Sequence, residues 1–145
     1  MPNFIQITPF MHVPDVEAAV AFFRDVLGFE PLWREADYAY VEREGCGIRM
    51  LQNERAAAPK GADAGVRGTS AHAHGDDGAP AGNRRFCYYV DVRDVDALYE
   101  ALKPKLDALP PGDVHGPADK PYNQRELLVL APDGNLIAFG QALRR

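Results

Sequence analysis

Chemistry at a protein site needs a nucleophile, a proton carrier or a set of metal ligands, and this chain offers few of them. Cys87 opens the apolar run Cys87-Tyr88-Tyr89-Val90. A thiol attacks as thiolate, which at neutral pH requires a neighbouring histidine or a helix N-terminus. No motif supplies either. Cys46 also sits in a strand-like run, and the pair reads as two reduced, buried thiols. Strand alternation puts Thr8, Phe10 and His12 on one face. His12 therefore either lines a cavity as a hydrogen-bond donor or sits half-solvated beside a helix start, and the second reading is favoured. His72-x-His74 has a metal-binding look, but its setting is rich in Ala, Gly and Asp and lacks carboxylate geometry. His115 lies in a Pro/Gly-rich stretch and is expected to be exposed. Gly45-x-Gly47 reads as a hairpin turn and not as a phosphate loop.

Aromatic side chains are the richer material: Phe10, Trp33, Tyr38, Tyr40, Tyr88, Tyr89, Tyr122 and Phe139. Tyr38 and Tyr40 share one strand face, and Tyr89 shares the face of Cys87. Each of these rings more often serves a core or an interface than a ligand. Stacked on a planar ligand, a ring contributes about 0.5–1.5 kcal/mol. Glu35, Asp37 and Glu126 could attract a cationic group. Arg125-Glu126 could instead pair at a strand start, and Arg49 is as ready to face solvent as a cavity.

The elements that position these residues occur twice. Met11-His12-Val13-Pro14-Asp15-Val16-Glu17-Ala18 has a counterpart 79 residues on, Val90-Asp91-Val92-Arg93-Asp94-Val95-Asp96-Ala97. In each copy a strand ends, and an aspartate stands where it can cap a helix. An acid (Glu17, Asp96) then follows in the first turn, where the helix dipole favours it. Val16, Val20, Phe23 and Leu27 fall at helical spacing before Gly28, a C-terminal stop. Val95, Leu98 and Leu102 repeat the pattern, with Pro104 expected to limit extension. Strands are predicted over 29–35, 38–42 and 47–52, and again over 125–130 and 136–139, with a loop over 109–121. Ala131-Pro132-Asp133-Gly134 carries a hairpin signal.

The predicted class is α+β, two βαβββ modules in one domain spanning 1–145: module one over 3–53, a flexible linker over 54–84 and module two over 85–142. One such unit cannot cover its own sheet. The copies should pair as facing mixed sheets around a curved cavity, within one chain or by exchange between two.

Composition narrows the functions. The net charge of −5 and pI near 5.3 argue against nucleic acid, which needs a basic surface. No apolar run reaches the ~18 residues of a membrane span, and the first residues lack a signal-peptide pattern. A cytoplasmic protein is expected.

The segments Val13 to Glu30 (VPDVEAAVAFFRDVLGFE) and Arg125 to Ile137 (RELLVLAPDGNLI), with Trp33, Tyr38-Ala39-Tyr40 and Phe139-Gly140, resemble the vicinal-oxygen-chelate superfamily. That group includes glyoxalase I, extradiol dioxygenases and fosfomycin-resistance transferases, and the likeness is greatest to its bleomycin-resistance branch. The resemblance implies where a metal would sit in the enzymes. The positions are Thr8 and Cys87, each seven residues before a capping aspartate, Ala138 on the last strand, and a first-copy counterpart near Met50. Such residues make a poor site for a hard divalent metal, so no metal and no cofactor is expected.

The resemblance further implies a small-molecule binder, for a bleomycin-family drug, in the crevice of a homodimer. Trp33, Tyr38, Tyr40, Phe10, Tyr89, Tyr122, Glu126 and Phe139 are the candidate ligand contacts. A planar, cationic drug would be sequestered without modification. Two alternatives stand beside this: a glyoxalase- or dioxygenase-like enzyme with a divergent site using Glu126, His12 or Cys87, and an accessory protein binding an unknown metabolite.

Overall fold

The computed structural model describes residues 2, 3, 5–53 and 87–144. The expected linker, with His72 and His74, lies outside the described residues. The chain divides into two compact units, and each is a βαβββ module. The first carries β1 (Phe10–Val13), α1 (Val16–Asp25), β2 (Glu30–Arg34), β3 (Tyr38–Arg43) and β4 (Cys46–Gln52). The second carries β5 (Cys87–Asp91), α2 (Val95–Leu106), β6 (Val114–Lys120), β7 (Gln124–Leu130) and β8 (Leu136–Ala142).

Each module forms a four-stranded mixed sheet, in the order β1-β4-β3-β2 and β5-β8-β7-β6. The first strand of a module runs parallel to its last, and the other neighbours are antiparallel. The capping aspartates act as expected: Asp15 accepts from the Ala18 N–H at 3.1 Å and Asp94 from Ala97 at 2.9 Å. A second cap repeats in both modules. Gln52 at the end of β4 accepts from the Val16 N–H at 3.0 Å, and Gln141 on β8 accepts from Val95 at 2.9 Å. Two of the orphan donors that open each helix are thereby satisfied.

Helix α1 buries Val16, Val20 and Phe23 against Met11, Val13, Val41 and Met50 of its sheet, all in the core. Phe23 meets Phe29 edge-to-face, with centroids 5.1 Å apart. Gly28 ends the helix with φ of 75°, and the Phe29 N–H donates to the Phe23 carbonyl at 2.8 Å. In the second module Val95, Leu102 and Leu106 cover Leu127, Val129, Ile137 and Phe139. The β3–β4 turn places Glu44 and Gly45 at φ of 51° and 82°, the left-handed pair that a two-residue hairpin requires.

Three expectations are corrected. The predicted loop over 109–121 contains β6. Its Gly116-Pro117 pair reads as loop, but β6 is an edge strand, where a proline removes no ladder donor that a neighbour needs. A shift of register between His115 and Ala118 accommodates the pair, as a shift between Pro31 and Trp33 does in the other edge strand, β2. Helix α2 continues through Pro104 to Leu106. Proline removes one internal bond near the helix end, while Leu106, one turn past Leu102, extends the buried stripe. Cys46 is exposed, because it follows the tight turn at the sheet margin.

Candidate ligand-binding site

The sheet face turned away from α1 is read from register. Phe10 on β1 pairs with Arg49 on β4, Arg49 with Tyr40 on β3, and Tyr40 with Trp33 on β2. Directly paired residues share a face, so Phe10, Arg49, Tyr40 and Trp33 form one row across all four strands. At ~4.8 Å per strand the row is about 14 Å long. Tyr38 stands in the next row, with its ring 6.3 Å from Phe10. His12 is half-buried on this face and pairs with Leu51.

Local contacts hold the rings of the row. Trp33, 59% exposed, donates from Nε1 to Glu35 at 3.2 Å. The Tyr40 hydroxyl donates to Glu42 at 2.9 Å. Arg49 donates from Nη1 to the Tyr38 hydroxyl, and its guanidinium carbon lies 5.3 Å from the Tyr40 ring centroid, a cation–π distance. Gly47 permits this layout. A Cβ there would fall 2.1 Å from the Tyr40 hydroxyl, so the phenol lies flat over a residue without a side chain.

The second module repeats the design with other residues. Its row reads Tyr89 on β5, Ala138 on β8, Leu128 on β7 and His115 on β6. Tyr89 lies over Gly140, where a Cβ would come within 1.8 Å of the hydroxyl. Leu128, Leu136 and Ala138 form an apolar cluster packed by Cys87, Tyr89 and Leu130. Glu126, fully buried at 0% exposure, accepts from the Tyr122 hydroxyl at 2.7 Å and is hydrogen-bonded to Tyr89. Burial and the bond to Glu126 push the Tyr89 hydroxyl far above its ordinary pKa.

The candidate residues thus separate into groups. Phe10, Trp33, Tyr38 and Tyr40 gather on the first sheet, and Tyr89, Tyr122 and Glu126 on the second. Phe139 joins neither. It pairs with Val90 and Leu127 and points to the α2 side, 3% exposed, one residue out of phase with Ala138. Arg125 pairs with Asp96 and Asp119, at 3.0 and 2.9 Å, instead of with Glu126, because adjacent strand residues face opposite ways. His115 is half-buried on β6 and not in an exposed loop. Sequence reasoning left Gln52, Gln141 and Gly140 without these roles. No local signal marked either glutamine as a cap, since the helix start it serves lies 36 or 46 residues away.

The metal question also changes. Arg49 stands where Ala138 stands: each lies three residues before its capping glutamine and pairs with the first strand. The first-module counterpart of Ala138 is therefore Arg49, and Met50, 0% exposed, faces α1. The four positions hold Thr8, Arg49, Cys87 and Ala138. A guanidinium repels a cation. Burial, followed by the negative charge of Glu126, pushes the Cys87 thiol up to about 12, leaving it protonated and a weak ligand. Among the described residues no three His, Cys, Asp or Glu side chains gather around a common point. This donor set does not fit a divalent metal.

The family model for the glyoxalase/bleomycin resistance protein/dioxygenase superfamily matches residues 6–139. The chain belongs to that superfamily. Bleomycin resistance proteins of Geobacillus stearothermophilus and Staphylococcus aureus are 28% identical over 142 residues, covering 97% of this chain and 98% of theirs. Among solved structures, the bleomycin-binding protein of bleomycin-producing Streptomyces verticillus, complexed with copper(II)-bleomycin, superposes with a TM-score of 0.67 at 23% identity over the full length of both chains. The antibiotic binding protein TnmS3 from Streptomyces sp. CB03234 gives 0.57 at 21% identity, covering 95% of this chain and 97% of that one. At these identities the structures establish the shared fold.

Proposed function

We propose that this member of the superfamily binds a drug-like small molecule of the bleomycin class and holds it unmodified. One observation carries the reading: in each module the sheet face turned away from the helix carries rings, Phe10, Trp33, Tyr38 and Tyr40 in the first and Tyr89 in the second, and the positions implied for chelators hold Thr8 and Arg49 in the first module and Cys87 and Ala138 in the second. Stacking, charge and shape then replace coordination as the means of grip. The bleomycin resistance proteins it resembles supply the ligand class, and the net charge of −5 favours a cationic tail on the planar portion. A homodimer is the assembly we favour.

Trp33 is the sole tryptophan, so its emission monitors the first sheet directly. Titration with metal-free bleomycin should quench it saturably, at one ligand per module pair by calorimetry. Mixing heats without saturation, together with unchanged emission, would refute the drug assignment. Saturable binding of a different planar metabolite alone would keep the binding function and replace its ligand.

A further inference from the structure

The rings of the first sheet frame a single cation. Arg49 is exposed. Its contacts are the bond to the Tyr38 hydroxyl and the Tyr40 ring beneath it, and no carboxylate pairs with it among the described residues. Glu42 and Glu35 accept from Tyr40 and Trp33 respectively. These bonds engage the ring donors and leave the guanidinium between Phe10 and Tyr40 without a counter-charge among the described residues.

From this row we infer a specificity for planar aromatic carboxylates: Arg49 takes the ligand's carboxylate while its ring stacks along Tyr40 and Trp33. The inference rests on the binding function proposed above and adds to it a carboxylate on the ligand's planar portion, read by the first sheet apart from the cationic tail that the net charge favours. Three features support it. A guanidinium offers a planar fork that matches a carboxylate in two parallel hydrogen bonds. Tyr38 and Tyr40 hold that fork before the ligand arrives, which lowers the ordering cost of binding. The row is about 14 Å long, enough for two fused rings beside a carboxylate. The corresponding position in the second module is Ala138, so that sheet does not offer the fork there.

Arg49 is a specificity-determining residue with an exposed side chain, and its replacement leaves the core untouched. The test compares three probes of one ring system, 2-naphthoate, 2-naphthamide and 2-naphthylmethylamine, together with bleomycin. Each is titrated into the wild-type chain, Arg49→Gln and Arg49→Lys, with thermal melts to verify folding. Naphthoate should bind the wild type at least about tenfold more tightly than the amine. Arg49→Gln should weaken naphthoate by about tenfold or more and leave the amine unchanged, while Arg49→Lys recovers part of the loss by charge without the fork. Naphthoate binding that is absent, or equal in wild type and Arg49→Gln, overturns the inference. If bleomycin still binds in that case, the sequestration function survives by itself. If naphthoate binds through Arg49 and bleomycin does not bind, the drug assignment falls and the carboxylate specificity stands. Concentration-dependent self-association that Arg49→Gln abolishes without any probe binding would assign the face to a second copy of the chain and overturn the ligand reading.

Discussion

Replacing Gly140 with alanine isolates the contact that positions the tyrosine of the second sheet. Gly140 has no left-handed φ, so alanine is compatible with its backbone and would on conformational grounds stabilise a strand slightly. The cost comes from Tyr89. The new Cβ would lie 1.8 Å from its hydroxyl, 2.3 Å from Cζ and 2.6 Å from Cε1. Contacts below 3.0 Å are essentially never seen for a real Cβ, so the ring must retreat by about 1.2 Å or more. That breaks the bond of the hydroxyl, whose single proton is shared between Gln124 at 3.2 Å and the buried Glu126 carboxylate. Losing a hydrogen bond to a buried carboxylate costs about 1.5–3 kcal/mol, and forced repacking about 1–3 kcal/mol. A net loss of about 3 kcal/mol is expected. At roughly 2–4 °C per kcal/mol for a chain near this size, Tm should fall by about 6–12 °C. Urea unfolding of the wild type, Gly140→Ala, Tyr89→Ala and the double variant forms a cycle. In the Tyr89→Ala background the glycine substitution should cost nothing. An unchanged midpoint for Gly140→Ala, or an equal loss in both backgrounds, would refute the claim that Tyr89 is seated on Gly140.

Two further perturbations test other parts of the frame. Cys87 and Tyr88 are raised by burial, from ordinary values near 9 and 10 to about 12 each. A raised folded-state pKa contributes stability that is complete below the unfolded value and is lost as pH climbs toward the folded one. Unfolding midpoints should therefore be insensitive to these groups at pH 7 and fall between about pH 9 and 12. Cys87→Ala should flatten part of that fall, and exposed Cys46 should react with a thiol reagent well before Cys87 at pH 8. The repeated caps predict matching losses: Asp94→Ala should cost about 1 kcal/mol in urea denaturation, and Gln141→Ala a similar amount, with parallel effects from Asp15→Ala and Gln52→Ala.

What could be read from the chain alone follows the range of the signals. The duplicated Val-x-Asp-Val pattern, the capping aspartates and the hairpin signals at Gly45-x-Gly47 and Ala131–Gly134 are local, and each produced the element it predicted. Strand β6 was hidden because Gly116 and Pro117 spell a loop wherever an edge strand is not known to exist. The Gln52 and Gln141 caps join residues 36 and 46 positions apart, a distance at which sequence spacing conveys nothing without the fold. The row of Phe10, Arg49, Tyr40 and Trp33 depends on the register of four strands. A one-residue error reverses a strand's faces, and that is how Met50 stood in for Arg49 and how Phe139, next to Ala138, entered the candidate contacts although it faces α2.

The glutamine caps have a consequence for how such a molecule can diversify. Arg49 and Ala138 each lie three residues before a glutamine that is fastened to a helix start, so a slip along β4 or β8 would detach that fastening as well as invert the strand. The position is pinned, while its own side chain takes no part in the pinning. Arginine in one module and alanine in the other already occupy it within a common frame. A single codon change at 49, where the side chain is exposed, can therefore exchange charge, bulk or donors on the floor of its module while the supporting architecture stays in place, whereas Ala138 is fully buried in the apolar cluster with Leu128 and Leu136.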